Sequence, residues 1–237
     1  MLIKHKKPFN MGLMLAVSFL GVLLLIFSPI FGEGKNGLVY SDDMFNKLSK
    51  GSSYFIPQTE KKLEKFAGQQ FSFTVKIDKP ELVEKTVKVL LTAGAQVGAS
   101  GAELKVGGDL GQVLGAALKD SDAMYKNDGG SVKTRYGLEG KDVMSLWWMV
   151  LNKSVKELQK DKKIEQATMV SEVMKRAIEP AYNYYGVEAQ NVADKAVIMT
   201  GLLVFYVVYT MWWGYAIFFM FEGLGLSMKK AKVKKEV

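Results

Sequence analysis

Residues 196–221 read AVIMTGLLVFYVVYTMWWGYAIFFMF, a run without a single charged side chain. A second apolar run, MGLMLAVSFLGVLLLIFSPI, occupies residues 11–30 near the N-terminus. Because about 20 apolar residues in a helix cross the hydrocarbon core of a bilayer, each run predicts a transmembrane helix. The chain is therefore predicted to be a membrane hairpin that carries one water-exposed domain between its two spans.

The two runs divide the 237 residues into five predicted segments. They are a basic tail (1–10), a first span (11–31), a domain (32–195), a second span (196–222) and a second basic tail (223–237). Since the apolar character continues to residue 228, the second helix could extend that far. No small-x-small cleavage pattern follows the first run, which favours an uncleaved anchor over a signal peptide.

Lysines flank the two apolar runs on the sides that face the chain ends. Lys4, Lys6 and Lys7 precede the first run, and five lysines follow the second: Lys229, Lys230, Lys232, Lys234 and Lys235. Positive clusters next to spans stay in the cytoplasm. Both termini are therefore predicted to be cytoplasmic and the domain extracytoplasmic, with a bacterial inner membrane as the best fit. Most of the net charge of +8 lies in these tails, which favours anionic lipid headgroups over nucleic acid as partners.

The composition excludes several kinds of chemistry. The chain has no cysteine, and its only histidine, His5, precedes the first span. Thiolate chemistry, Fe–S clusters, a Ser-His-Asp triad and histidine-ligated zinc or haem are therefore excluded from the domain. The glycine-rich stretch 94–115 matches no nucleotide-binding pattern. Residues 120–122 depart from a calcium loop and are expected to form a solvated helix end. We predict no catalytic, cofactor-binding or metal-binding residue, and a protein that is not an enzyme.

Period-two alternation over residues 71–77 predicts a half-buried strand. Asp78, Pro80 and Glu81 then predict a capped helix start. The face of that helix predicted to point inward comprises Val83, Val87, Leu90 and Leu91. A second strand over 102–106 is predicted to pair with 95–97 across a turn at 98–101. The amphipathic helix after it is predicted to be capped by Asp109 with Gln112 and to bury Leu110, Val113, Leu114, Ala117 and Leu118.

The flanking regions are predicted to be helical or irregular. Residues 32–56 are expected to be a linker with a short helix, followed by a charged helix after Pro57. A polar loop covers 126–130, and two more helices cover about 141–160 and 163–179, the second ended by Pro180. The residues predicted inward on these two helices are Val143, Trp147, Val150, Leu151 and Leu158, then Ile164, Ala167, Val170, Met174 and Ile178. The predicted class is α+β: a strand–helix–strand–strand–helix unit plus two further helices.

Aromatic residues are the candidate partner contacts in the domain. Trp147 and Trp148 are adjacent, so only one of them can face the core of its helix. The other marks either a partner surface or a contact covered by a neighbouring helix. Tyr182, Tyr184 and Tyr185 precede the second span, where they are expected to form an interfacial belt or, alternatively, a docking surface.

The second span contributes five more candidates. Tyr206 and Tyr209 fall near the middle of the bilayer, so each is expected to face protein or to bond to backbone. Trp212 and Trp213 fall near the inner interface. Glu222 is the only ionisable residue of the second apolar run, which makes it a functional candidate, although its distance from Lys195 favours an interfacial position.

These features favour a non-catalytic accessory subunit of a larger inner-membrane complex. Its domain and aromatic second span would contact other integral membrane subunits. One alternative is a self-assembling envelope scaffold, either a ring or a homo-oligomer similar to polysaccharide chain-length regulators. Another is a module that binds a small extracytoplasmic ligand. A hydrolase with paired carboxylates ranks last, because no pair of acids stands out in the sequence.

Overall fold

The computed structural model describes residues 3–226, so the five C-terminal lysines of the predicted tail lie outside the described residues. The chain divides into two compact units. The central unit is Asn46–Gln190, and the terminal unit consists of the residues before and after it. The class is α+β, as predicted, with a small three-stranded sheet.

The described elements follow one another in chain order. They are α1 (Lys6–Phe27), α2 (Gly37–Ser52), α3 (Ile56–Leu63), β1 (Gln70–Lys76), α4 (Val83–Thr92), β2 (Gln96–Ser100), β3 (Glu103–Asp109), α5 (Leu110–Tyr125), α6 (Gly129–Tyr136), α7 (Gly140–Lys160), α8 (Ile164–Val173), α9 (Glu179–Asn183) and α10 (Ala196–Leu224). Turns of 3-10 helix occupy Glu64–Phe66, Pro80–Leu82 and Ala193–Lys195. A π-helical turn, Met174–Ile178, joins α8 to α9.

In the terminal unit, α1 and α10 are both long and apolar enough to span a membrane. They run antiparallel, since Phe9 lies against Gly223 while Phe19 stacks on Tyr209. The helices approach closely because glycine stands at the contact. A Cβ added to Gly12 would lie 2.6 Å from the backbone nitrogen of Met220. Small residues that allow backbones to approach are typical of helix contacts in lipid.

The sheet of the central unit has the order β1-β3-β2, with both pairs antiparallel. Phe71, Phe73 and Val75 are buried in β1 and alternate with exposed residues, so the predicted alternation is confirmed. The hairpin turn is tighter than predicted. Ser100 pairs with Glu103, which leaves only residues 101–102 in the turn.

The helix after β1 differs from its prediction in cap and phase. A 3-10 turn occupies Pro80–Leu82, so α4 starts at Val83, and the Asp78 carboxylate accepts instead from Lys153 Nζ at 2.8 Å. The predicted inward position of Leu91 is wrong, because its side chain is 53 % exposed. The residues of α4 that are buried are Thr86, Val89 and Leu90. The apolar pattern alone therefore did not specify which face of this helix is buried.

The next helix, α5, matches its prediction. The Asp109 carboxylate accepts from the backbone N–H of Gln112 at 3.2 Å, as an N-cap acid does. The five residues predicted to face inward on α5 are all buried. Together α4 and α5 complete the predicted strand–helix–strand–strand–helix order.

Four features of the remaining segments differ from the predictions. Residues 37–52, expected to be mostly linker, form the helix α2. The predicted polar loop at 126–130 is shorter, because Asp128 accepts from Ser131 N–H and caps the unpredicted α6. Ile164 begins α8 with 57 % of its side chain exposed, not inward. Pro180 does not end the helix. It lies at the second position of α9, directly after the π-helical turn.

The longest helix of the central unit, α7, lies in its core. Val143, Trp147, Val150, Leu151 and Leu158 are all buried on it, as predicted. The opposite wall of the core comes from α8 and the π-helical turn, which bury Ala167, Val170, Met174 and Ile178. This packing holds the outer face of α7 and the start of α9 side by side.

Candidate functional site

A groove of about 320 Å³ lies where α7 faces the start of α9. Its walls include Trp148 and Tyr182, whose side chains are 41 % and 42 % exposed. Its floor is apolar, because Met144 and Ile178 line it and are almost completely buried from solvent. Ser145, Glu179 and Asn183 supply the polar groups of the rim. We call these seven residues the Trp148 groove.

The adjacent tryptophans separate as the sequence required, with one inside and one outside. Trp147 is completely buried, and its indole N–H donates to Asp120 Oδ2 at 2.9 Å. Trp148 points into the groove, and its indole N–H donates to Glu179 Oε1 at 3.0 Å. This bond holds the Trp148 ring against the wall while a large part of its face remains in water.

Asp120 of α5 accepts a hydrogen bond from Trp147 of α7. Because Asp120 is buried, the expectation of a solvated helix end at 120–122 is wrong for this residue. Its carboxylate is completely buried and accepts from Arg135, from the Tyr136 hydroxyl at 2.6 Å and from Trp147. Burial raises the pKa of the Tyr136 hydroxyl. Because both carboxylate oxygens are occupied within the protein, this network positions Trp147 and offers no open face to a ligand.

A sequence signal for the burial of Asp120 does exist. Val113, Ala117, Asp120 and Met124 follow the i, i+4, i+7, i+11 spacing of one helix face, and all four are buried. A carboxylate on an apolar stripe implies a buried partner. The sequence does not show which residues those partners are, because Arg135 and Trp147 lie on other helices.

The predicted tyrosines after α8 occupy different environments. Tyr182 lines the groove, whereas Tyr184 and Tyr185 are half-buried against the core. The Lys141 ammonium lies 5.4 Å from the Tyr182 ring centroid and 6.0 Å from that of Tyr185. This cation joins two of the predicted residues at one edge of the groove.

A second buried polar centre, which sequence reasoning missed, is Lys50. The side chain is 2 % exposed, and Nζ donates to Asn127 Oδ1 at 2.9 Å and to the carbonyls of Tyr184 and Val187 at 3.1 and 2.6 Å. Burial lowers the pKa of the Lys50 amine. Its acceptors lie 77 to 137 positions away in sequence, so no local pattern could reveal them. The three bonds fasten the turn after α9 onto α2.

The candidates in α10 lie mainly around one residue of α1. The Tyr209 hydroxyl donates to the carbonyl of Phe19 at 3.3 Å, and the ring of Trp213 lies 4.8 Å from that of Phe19. The indole N–H of Trp212 donates to the Leu15 carbonyl at 3.1 Å. Tyr206 is 67 % exposed and does not join this contact.

Glu222, the last of the predicted residues in the second apolar run, is exposed near the end of α10. Within residues 3–226, no group of three or more histidine, cysteine, aspartate or glutamate side chains is arranged to hold a metal ion. Of the sites described, the Trp148 groove combines two predicted partner contacts with an open, apolar concavity. Comparison of the chain with family models, curated proteins and solved structures found no match.

Proposed function

We propose that the protein is a two-pass accessory subunit of an inner-membrane complex and that its central unit docks a partner subunit in the Trp148 groove. The observation that carries the proposal is the pair of exposed aromatics, Trp148 and Tyr182, around an apolar floor. Exposed tryptophan and tyrosine beside a concavity are typical of the residues that dominate binding energy at protein interfaces. The role proposed is binding, not catalysis.

The proposed topology places both termini in the cytoplasm and the central unit outside it. Two apolar helices and the lysines at positions 4, 6 and 7 support this arrangement. The chain has no cysteine, so Lys85→Cys introduces a single labelling site on an exposed face of α4. We expect a membrane-impermeant maleimide to label it in intact spheroplasts. Labelling only after lysis would contradict the topology.

Purification from native membranes in mild detergent tests the docking proposal. We expect other integral membrane proteins to accompany the wild-type chain in fixed stoichiometry and to be lost from W148A/Y182A. The matched control is L91A/I164A, which removes two exposed apolar side chains that do not line the groove. If the control loses the partners as readily, binding does not depend on the groove. A pure homo-oligomer would instead favour the scaffold alternative.

A further inference from the structure

A basic concavity of about 420 Å³ lies on the central unit, apart from the Trp148 groove. Three of its lining side chains are cations: Lys62 from α3, and Lys175 and Arg176 from the π-helical turn. One carboxylate, Glu172, lines it as well. The lining therefore carries an excess of two positive charges, and a concave wall concentrates the field of such charges.

Glu172 and Phe55 hold two of the cations in place. Lys62 Nζ lies 2.6 Å from Glu172 Oε1, and Arg176 Nε lies 3.3 Å from the same oxygen. The Arg176 guanidinium also stacks over Phe55, with 5.3 Å between its carbon and the ring centroid. A guanidinium held at Nε and over an aromatic ring is oriented before a ligand arrives, which reduces the entropy lost on binding.

Other donors on the same wall have no partner among the described residues. Among residues 3–226, no hydrogen bond or ion pair involves the side chains of Gln159, Ser171 or Lys175, all of which line the concavity. Ser171 and Lys175 are four positions apart, so they lie on one face of the helix. The wall thus presents an amide, a hydroxyl and an ammonium as donors, beside a guanidinium.

We propose that this concavity is a binding site for a phosphate-bearing anion. Phosphate offers several acceptor oxygens to converging donors, and arginine forms strong charge-assisted bonds to it. The anion would lie between Lys175, Arg176 and Ser171. Glu172 has two opposing effects. It orients Lys62 and Arg176, but its negative charge repels the anion and weakens binding. This site is separate from partner docking and does not depend on it.

Isothermal titration of the full chain with inorganic phosphate, in neutral detergent at low ionic strength, tests the site. We expect saturable binding, weakened about tenfold or more in K175Q/R176Q. The matched control is K85Q/K105Q, which removes the same charge from exposed lysines outside the concavity. No saturable binding by the wild type, or equal weakening in the control, would overturn the proposal.

Misfolding of K175Q/R176Q could also weaken phosphate binding, so a second variant is chosen that should bind phosphate more tightly. Glu172→Gln removes the opposing charge but keeps the shape, and we expect it to tighten phosphate binding about threefold or more. An unchanged or weaker affinity in E172Q contradicts the proposed position of the anion.

The source of the phosphate is decided by reconstitution in lipid nanodiscs. If a lipid headgroup occupies the site, phosphatidic acid in the disc suppresses the titration with free phosphate relative to pure phosphatidylcholine. If the ligand is soluble, both discs give the same phosphate affinity. Either result keeps the anion site and assigns its source.

Discussion

The two units of this protein bury residues of different size. In the central unit the interior is apolar, with large side chains such as Leu114 and Trp147 completely buried. In the terminal unit most large apolar side chains are exposed, and the buried residues of α1 and α10 are the small ones: Gly12, Ala16, Ala216 and Gly223.

Under the proposed membrane topology, each interior is the kind that its surroundings favour. Water drives large apolar side chains inward, whereas lipid offers no such gain and leaves close backbone approach and hydrogen bonds as the forces between helices. The indole N–H groups of the two units also have different acceptors. Trp147 donates to the buried carboxylate of Asp120, whereas Trp212 donates to a backbone carbonyl of the neighbouring helix.

The largest effect is expected at Asp120, the fully buried carboxylate of the central unit, which is paired with Arg135. Asp120→Ala leaves Arg135 without its partner and two buried donors unsatisfied, so we expect a loss of about 3–5 kcal/mol in the free energy of unfolding. Hydrogen exchange of α7 amides measures this loss in the full chain. Asp122→Ala is the control on the same helix, because its carboxylate is partly exposed in its pair with Lys126, and we expect less than about 1 kcal/mol. Equal effects would show that the burial of Asp120 has no energetic role.

The next largest effect is expected where the backbones of α1 and α10 approach each other at Gly12. In Gly12→Leu the added side chain meets Met220 and the Ala216 carbonyl, and we expect overpacking to cost about 1–3 kcal/mol of helix pairing. Bismaleimide cross-linking between cysteines placed at Phe19 and Tyr209 reports the pairing. Gly21→Leu is the control, since no atom lies within 4 Å of its Cβ position. An unchanged cross-linking yield in G12L would contradict the glycine contact.

A smaller effect is expected from the buried cation of the central unit. Lys50→Met removes the three hydrogen bonds that Nζ donates to Asn127 Oδ1 and to the carbonyls of Tyr184 and Val187, and it should cost about 1–2 kcal/mol near neutral pH. Burial lowers the pKa of Lys50 below its ordinary value of 10.5 in the folded state. At this amine the unfolded chain therefore binds more protons, so the contribution of Lys50 to wild-type stability rises with pH toward 10.5.

Because K50M lacks the titrating amine, its deficit relative to wild type should grow as pH rises toward 10.5. Hydrogen exchange, corrected for the intrinsic pH dependence, measures the difference between the two chains. Tyr54 and Tyr136, whose pKa values are raised, are common to both chains, so their contribution cancels. The Tyr125 ring lies 5.2 Å from the Lys50 ammonium, so any change at Tyr125 is part of the measured Lys50 effect. A deficit that stays constant with pH would mean that Lys50 does not titrate differently in the folded state.

The smallest effect concerns a single hydroxyl between helices. Tyr209→Phe removes the bond to the Phe19 carbonyl, and we expect a loss of about 0.6 kcal/mol, the typical value for such bonds between membrane helices. Titration with dodecyl sulfate measures the unfolding free energy. Tyr206→Phe removes an exposed hydroxyl outside the contact and should leave that energy unchanged. A larger loss of unfolding free energy in Y206F than in Y209F would contradict the conclusion that Tyr209, not Tyr206, lies on the face of α10 that contacts α1.

Local patterns predicted the elements whose signal repeats along the chain. The alternation of 71–77 located β1, and the apolar stripes located α5 and α7 with their buried residues. Rotational phase was less predictable for α4, as the exposed Leu91 shows, and Ile164 is exposed as the first residue of α8 although the rest of its predicted face is buried. The helix through Pro180 was missed because a proline in a helical pattern usually marks its end, whereas here helical backbone continues through the π-helical turn into α9.

By itself the sequence determined the two apolar helices, the α+β class and the fact that only one of Trp147 and Trp148 can face the core. These are properties of period and composition, which act over a few neighbouring residues. Only the tertiary structure decided the partners of Asp120, the bonds of Lys50, the Trp148 groove and the basic concavity at Lys175. Each joins side chains from different elements, so its chemistry exists only after packing has brought distant residues together.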